Sequence, residues 1–495
     1  MNIFWPSINR FIALLIVTAA VLVSGCATNP ATGKRDFVTM SEDAEIKLGR
    51  ENHQQIVDQY GYYDDPELQA YVQGIGERLA KNSHRPDLIY RFTVLDSDQV
   101  NAFALPGGYI YITRGIMAYL NSEAELAAVL GHEIGHVTAR HSVRQISQQQ
   151  LASTGFLIGS ILVPELRGAT GQNLFGALGT AWIRGYGRNH ELEADSFGAE
   201  YIARTDYDPQ AMIEVISVLK DQEIFDKDLA EKEGREPRAY HGVFATHPKN
   251  DTRLQEVVGK AEYLAKSSGA NKVNRNEYLT KIRGMTFGDS ETQGIRRGSA
   301  FYHADLGFAM KFPEGWRVDN QPTSIVAQAP KGEAIIQVGV EDLNKRISAK
   351  EFLTTRLKVK SLTEGRRLDN DGLDGYTGLT RGNTPYGQRD IRIAVVYLGN
   401  KAYTFIATTK ADGAVVSFDE AFVKTVESFH KLKEEERSLA QALAIRVIVA
   451  KEGDTYAKLA TQSRIPNYAE GQLRLINDQY PNGELQPGQR VKIVK

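Results

Sequence analysis

The pentapeptide His132-Glu133-Ile134-Gly135-His136 lies inside a long helical pattern and constrains the fold of this chain more than any other feature. Residues four apart on an α-helix share one face about one turn apart, so both imidazoles can reach a single ion while Glu133 points toward the same cavity. The run from Asn121 to Gln150 supports a helix: Ser122 and Glu125 form a capping box, and Leu126, Val129 and Leu130 supply an apolar stripe. Gly131 and Gly135 break the pattern, each costing roughly 1 kcal/mol relative to Ala in a helix interior. Violations of this kind mark functional sites, here by letting a neighbouring backbone or a substrate approach closely.

Two histidines on one turn are half of a zinc site. A catalytic zinc takes three protein ligands and keeps one position open, so a third ligand is required. Glu191-Leu192-Glu193-Ala194-Asp195 offers it on a second helical stretch, where Glu191 and Asp195 share a face at i and i+4. Glu191 would bind the metal, and Asp195 would orient a histidine ligand through its other ring nitrogen. Taken alone, this acidic pair reads sooner as an exposed helix face than as a ligand. The expected cofactor is Zn2+, a single ion per chain.

Together with Thr246-His247-Pro248 and Arg253, these elements resemble the gluzincin zinc metallopeptidases, the group that includes the CAAX prenyl endopeptidases, HtpX and BepA. The segment Val100 to Ile110, followed by Thr113-Arg114-Gly115, is similar to that group's strand and turn ahead of the zinc helix. The likeness covers residues 30 to 265 and implies a mainly α zincin-type domain with a small β element. It also implies zinc-dependent endopeptidase activity, with His132, His136 and Glu191 as ligands and Glu133 as general base. His247 would lie near the metal, either as oxyanion donor or as occupant of the open position, with Arg253 as a basic partner. The chemistry is coherent: zinc lowers the pKa of a water toward 7 and polarises the scissile carbonyl, while Glu133 moves the proton to the leaving amine. His141 and His190 form no i, i+4 pair and read as surface groups or as supports for the ligands. His53, His84, His241, His303 and His430 read as ordinary polar residues.

Tyr109 to Ile112 is rich in β-formers after a Pro-Gly-Gly turn and reads as a strand. As an edge strand beside the cleft it could pair with an extended substrate, and as a core strand it could not. Asn101 to Ala104 is the second choice for a substrate-facing edge.

Arg10 precedes an apolar run from Phe11 to Val23, too short to span a bilayer but suited to a signal peptide over residues 1–25. Val23-Ser24-Gly25-Cys26 resembles a bacterial lipobox, which implies lipid on Cys26 and a membrane contact through that anchor. By the same resemblance, Ala27 rather than Asp after it implies delivery to the periplasmic side of the outer membrane. Cys26 is the only cysteine, which excludes an intrachain disulfide and a cysteine-based site elsewhere. Lys and Arg number 59 against 61 acidic residues, so nothing here is basic enough for a nucleic-acid partner.

The 495 residues allow several domains. A zinc metallopeptidase domain is expected over 26–266, within which the Gly-rich apolar run Leu151 to Ala181 reads as subdomain core, cleft cover or membrane-touching loop. Residues 267–299 are polar and read as a linker. From 300 to 432 the pattern turns to strands, at 308–312, 334–340, 391–397 and 402–408, with helices at 349–360 and 417–429. Gly307-Phe308-x-x-x-Phe312-Pro313-x-Gly315-Trp316 resembles the opening of PsbP-like α/β sandwich domains. Residues 446–495 resemble a βααβ LysM module, which implies peptidoglycan as a partner. The chain is therefore expected to be a multidomain, lipid-anchored zinc endopeptidase acting on misfolded or stalled envelope proteins. An envelope chaperone or assembly scaffold with latent protease activity is the alternative.

Overall fold

The computed structural model describes residues 26–148, 186–233, 237 and 251–495. The expected signal peptide, the apolar run Leu151 to Ala181 and His247 lie outside the described residues. No helix among the described residues is long and apolar enough to cross a membrane.

The first part is helical around a small sheet. A hairpin of β1 (Cys26–Thr28) and β2 (Arg35–Phe37) leads into α1 (Glu42–Tyr60) and α2 (Pro66–Lys81). Strands β3 (Arg91–Leu95), β4 (Ala102–Leu105) and β5 (Tyr109–Thr113) form a sheet in the order β3-β5-β4. Tyr109 to Ile112 is therefore the middle strand, paired on both sides and wholly buried. Of the two readings left open the core strand holds, because β3 pairs with it in parallel on the side that β4 does not cover, and β4, the second choice, lies at an edge of the sheet.

After the short α3 (Arg114–Tyr119) comes α4 (Glu123–Thr138), the helix carrying the pentapeptide. Every residue of α4 is buried, which its mixed sequence alone does not announce. Ser122 caps it, accepting from the Glu125 N–H at 3.1 Å, and the Glu125 carboxylate accepts from the Asn121 N–H at 2.8 Å. The box thus closes one residue further out than its usual form. Around α4 lie α5 (Arg188–Arg204), α6 (Ala211–Glu233) and α7 (Asp251–Ser268).

Residues 267–299 are not a linker. Helix α8 (Arg275–Lys281) sets Tyr278 and Leu279 fully into the peptidase core, and the Tyr278 hydroxyl donates to the Met117 carbonyl at 2.6 Å. Strand β6 (Thr286–Phe287) is bound through the Thr286 N–H to the Tyr63 hydroxyl, and β7 (Ile295–Arg297) starts the next sheet. The stretch is polar on average, but Tyr278, Leu279, Ile282 and Met285 all enter the core.

The second part is sheet-rich. Strands β7, β8 (Ala300–His303), β9 (Phe308–Lys311) and β17 (His430–Lys431) make one sheet in the order β17-β9-β8-β7. Seven antiparallel strands make the other. They are β10 (Arg317–Gln321), β11 (Ser324–Gln328), β12 (Ala334–Asp342), β13 (Thr363–Asn370), β14 (Leu373–Thr384), β15 (Gly387–Leu398) and β16 (Lys401–Thr409). Helix α9 (Val415–Glu427) buries Phe422 and Val426 against this sheet. The helix expected over 349–360 stops at Arg356, and Lys358 takes a left-handed backbone with φ 56°.

The last part runs β18 (Leu443–Val449), α10 (Tyr456–Ala460), α11 (Ala469–Ile476) and β19 (Arg490–Val494), with β18 and β19 antiparallel. β6 adds to the other edge of β18, so this part shares a sheet with the segment that leaves the peptidase core.

Helices α4 and α5 touch backbone to backbone. A Cβ on Gly135 would lie 2.8 Å from the Ala194 carbonyl oxygen, and one on Gly198 would lie 2.9 Å from the His132 nitrogen. Both obstacles are main chain, so Gly198→Ala is expected to destabilise the fold by about 1–3 kcal/mol. A Cβ on Gly259 of α7 meets nothing within 4 Å, and Gly259→Ala should stabilise by up to about 1 kcal/mol through helix propensity. Urea denaturation of the two variants checks this, and equal effects would refute the tight crossing.

Candidate metal centre

His132 and His136 project from α4 toward Glu191 in the first turn of α5. Their Nε2 atoms are 3.0 Å apart, and the Glu191 oxygens lie 3.6 Å from each of them. All three side chains are buried, and one donor atom from each falls within 4.8 Å of the others. Two imidazole nitrogens and a carboxylate crowded this closely, with water excluded, suit a shared cation and repel one another without it. Bonds of about 2.0–2.2 Å from nitrogen and oxygen to zinc are compatible with such spacing. The donor set therefore fits the ion.

The other ring nitrogens are also engaged. His132 Nδ1 is 2.8 Å from Asp195 Oδ1, which accepts the ring N–H and leaves Nε2 as the donor toward the metal. His136 Nδ1 is 2.8 Å from His141 Nδ1, and His141 Nε2 is 3.0 Å from Glu193 Oε2. With Nε2 of His136 reserved for a metal, its Nδ1–H donates to His141, whose own Nε2–H donates to Glu193. Burial drives the pKa of His141 down to about 4, which keeps that ring neutral as this chain requires. His141 and Arg144 hold the Glu193 carboxyl down at about 2, so it stays an acceptor. Tyr186 stacks on His136 with ring centroids 4.0 Å apart, and its hydroxyl pairs with Ser142 at 2.6 Å. Burial raises the Tyr186 pKa.

Glu133 is 2% exposed. With His132 and Asp195 it borders a small cleft whose other walls are apolar: Ala102 of β4, Ala128 and Val129 of α4, and Met212, Ile216 and Leu219 of α6. A buried carboxylate beside a three-donor metal site at the mouth of an apolar cleft can take a proton from a water and return it to a leaving group.

Of the site residues expected from sequence, the structure brings together His132, Glu133, His136, Glu191 and Asp195. Arg253 lies in the first turn of α7, and His247 lies outside the described residues. The role of His141 was legible only as one of two options. The helix ends at Thr138 and Arg140 turns left-handed at φ 54°, so no helical periodicity relates His141 to His136. Glu193, Arg144 and Tyr186 carried no signal at all. His190 stacks on His141 with centroids 4.4 Å apart. His53 and His84 bond tyrosine hydroxyls away from the centre.

A buried His-His-Glu cluster with an adjacent carboxylate defines the class of zinc-dependent hydrolases that use a metal and a general base. Residues 66–261 match the family described as Peptidase family M48, and His132, Glu133, His136 and Glu191 all lie inside that stretch. The chain is 31% identical over 270 residues to the "Beta-barrel assembly-enhancing protease" of Yersinia pestis, covering 53% of each. It is 26% identical over 231 residues to the "Mitochondrial metalloendopeptidase OMA1" of Schizosaccharomyces pombe, covering 46% of this chain and 64% of that one. The chain thus spans about half the length of the bacterial relatives it matches. Among solved structures, cyanobacterial PsbP from Synechocystis sp. PCC 6803 matches 28% of this chain and 93% of its own, at 18% identity and a TM-score of 0.22.

Replacing Asp195 or His141 by Ala should each weaken zinc binding roughly 10–100-fold, since each fixes the orientation of one ligand. Glu191→Ala should weaken it further. Chelator competition on the purified variants reads the order, and wild-type affinity in His141→Ala would show that this ring does not orient His136.

Proposed function

We propose that this chain is a zinc endopeptidase of the bacterial envelope that cleaves misfolded or stalled periplasmic and outer-membrane proteins. The single observation that supports hydrolysis is the burial of Glu133 at the cleft, on the same helix turn as two histidines that converge on Glu191. Zinc held by His132, His136 and Glu191 supplies Lewis acidity, acidifying a water and polarising a peptide carbonyl. Glu133 is the proton carrier, taking the proton from the water and delivering it to the leaving amine. Asp195 and His141 keep both imidazoles turned to the metal. Among the described residues β4 is an edge strand with Ala102 on the cleft, and an extended peptide laid along it would gain main-chain bonds with little regard for side chain. That tolerance suits substrates recognised by being unfolded rather than by sequence.

His247 and Arg253 complete the proposal as groups near the metal, His247 either donating to the oxyanion or occluding the open position. Lipid on Cys26 would hold the enzyme at the periplasmic side of the outer membrane. The chain after Cys26 docks at the end of the zinc helix, where the Asn29 amide donates to the Ala139 carbonyl at 2.9 Å, so the anchor would keep the cleft close to the bilayer. The name of the Yersinia pestis relative, with its reference to β-barrel assembly, supports outer-membrane proteins as substrates. Contact with peptidoglycan through residues 446–495 belongs to the same proposal.

Hydrolysis of unfolded casein by the zinc-loaded protein tests the activity. Glu133→Gln should retain zinc and lose about 10²-fold or more in turnover, and equal turnover would remove Glu133 from the mechanism. At equal zinc loading, His247→Ala should raise the rate if the ring occludes the site and lower it about 10²-fold if it donates to the oxyanion. Rates within about twofold would reject both roles. Cys26→Ser should move the protein from the membrane fraction to the soluble fraction with peptidase activity intact, and unchanged sedimentation would place the anchor elsewhere.

A further inference from the structure

Helix α6 faces two ways. Its first half supplies Met212, Val215, Ile216 and Leu219 to the cleft beside Glu133. Its second half is gripped by the C-terminal module. Phe225 meets the Tyr480 ring edge-on at 5.3 Å, and the Tyr480 hydroxyl donates to the Asp228 carboxylate. Helix α11 approaches so closely that a Cβ on Gly471 would lie 2.7 Å from Phe225.

The opposite wall of the cleft is α4, and the same module holds the chain that leads into it. Lys492 of β19 is fully buried, and its Nζ donates to the carbonyls of Ala118 at 2.8 Å and Leu120 at 2.7 Å, just before the Ser122 cap. Arg275 ties the Asn121 carbonyl at 3.2 Å to the Arg490 carbonyl at 3.4 Å. A buried lysine is costly unless its donors are satisfied, and here the partners come from another part of the chain. A loosely tethered appendage would have no use for such a contact.

We propose that residues 443–495 clamp the catalytic cleft, with Tyr480 positioning the α6 wall and Lys492 positioning the start of the α4 wall, so that loosening the module loosens substrate binding. The clamp connects the two walls from outside the cleft, and neither residue touches the metal ligands. Its functional part rests on the peptidase reading above.

The test uses the full-length, zinc-loaded protein and its Tyr480→Ala, Tyr480→Phe and Lys492→Met variants. For a fluorogenic casein-derived peptide, Tyr480→Ala should raise KM about threefold or more with kcat within about twofold, and Tyr480→Phe, which keeps the ring on Phe225, should recover most of the loss. Hydrogen exchange should quicken along 211–225 in Tyr480→Ala and along 118–130 in Lys492→Met. A folded, zinc-loaded Tyr480→Ala with KM and kcat both within about twofold of wild type would overturn the clamp. So would a loss of activity that merely tracks lost zinc or lost helix content. If Lys492→Met does not fold, the Tyr480 pair decides alone. Should the wild type hydrolyse nothing, the peptidase reading fails, while exchange along 211–225 still supports the clamp if it quickens and overturns it if it does not.

Discussion

Everything at the metal centre depends on two helices crossing at backbone contact. Gly131 and Gly135 on α4 face Ala194 and Gly198 on α5, and no side chain larger than a methyl separates the main chains there. Four small residues at spacing four form a groove on each helix, into which the other settles. The crossing places Glu191 opposite His132 and His136, and Asp195, one turn further along α5, behind His132. The glycines weaken α4 as an isolated helix, and the complete burial of α4 in tertiary packing offsets that loss.

The two histidines of the pentapeptide are oriented by different devices. His132 leans on a carboxylate from the partner helix, whereas His136 leans on His141, delivered by the turn that ends its own helix. That turn is itself held: Arg140 donates to Glu45 at 2.9 Å and to the Met40 carbonyl at 2.9 Å, and Glu45 also binds Arg85 at 2.9 Å. Ligand orientation at the centre therefore reaches out through buried ion pairs to α1, well away from the chemistry. Buried pairs of this sort specify a geometry more than they add stability.

The three parts of the chain are continuous in their packing. Ile445 of β18 belongs to the same apolar core as the zinc helix, and Tyr119 and Phe287 pack against the core of the C-terminal module. Arg114 is fully buried, binding Asp96 at 2.6 Å and the Thr286 carbonyl at 3.4 Å, and Arg296 joins Asp98 of the peptidase part to Asp289 and to the Val318 carbonyl of the sheet-rich part. A division of the chain by composition misses these links, because a few buried anchors in a polar stretch barely alter its average.

Local pattern was enough to bring out His132, Glu133, His136, Glu191 and Asp195 as candidates, along with the Ser122 cap and most strands of the sheet-rich part. Each rests on residues close in sequence, where the period of a helix or strand dictates which side chains share a face. The sequence also marked Gly131 and Gly135 as anomalies while leaving open whether backbone or substrate approached them. Only tertiary structure decided that question in favour of the α5 backbone, made Tyr109 to Ile112 an inner strand, turned His141 into the support of His136, and drew Lys492 beneath the start of the zinc helix. Those outcomes join residues across helix ends, sheet edges and hundreds of positions of chain. No local period spans such distances, because which segments become neighbours is settled by packing of the whole.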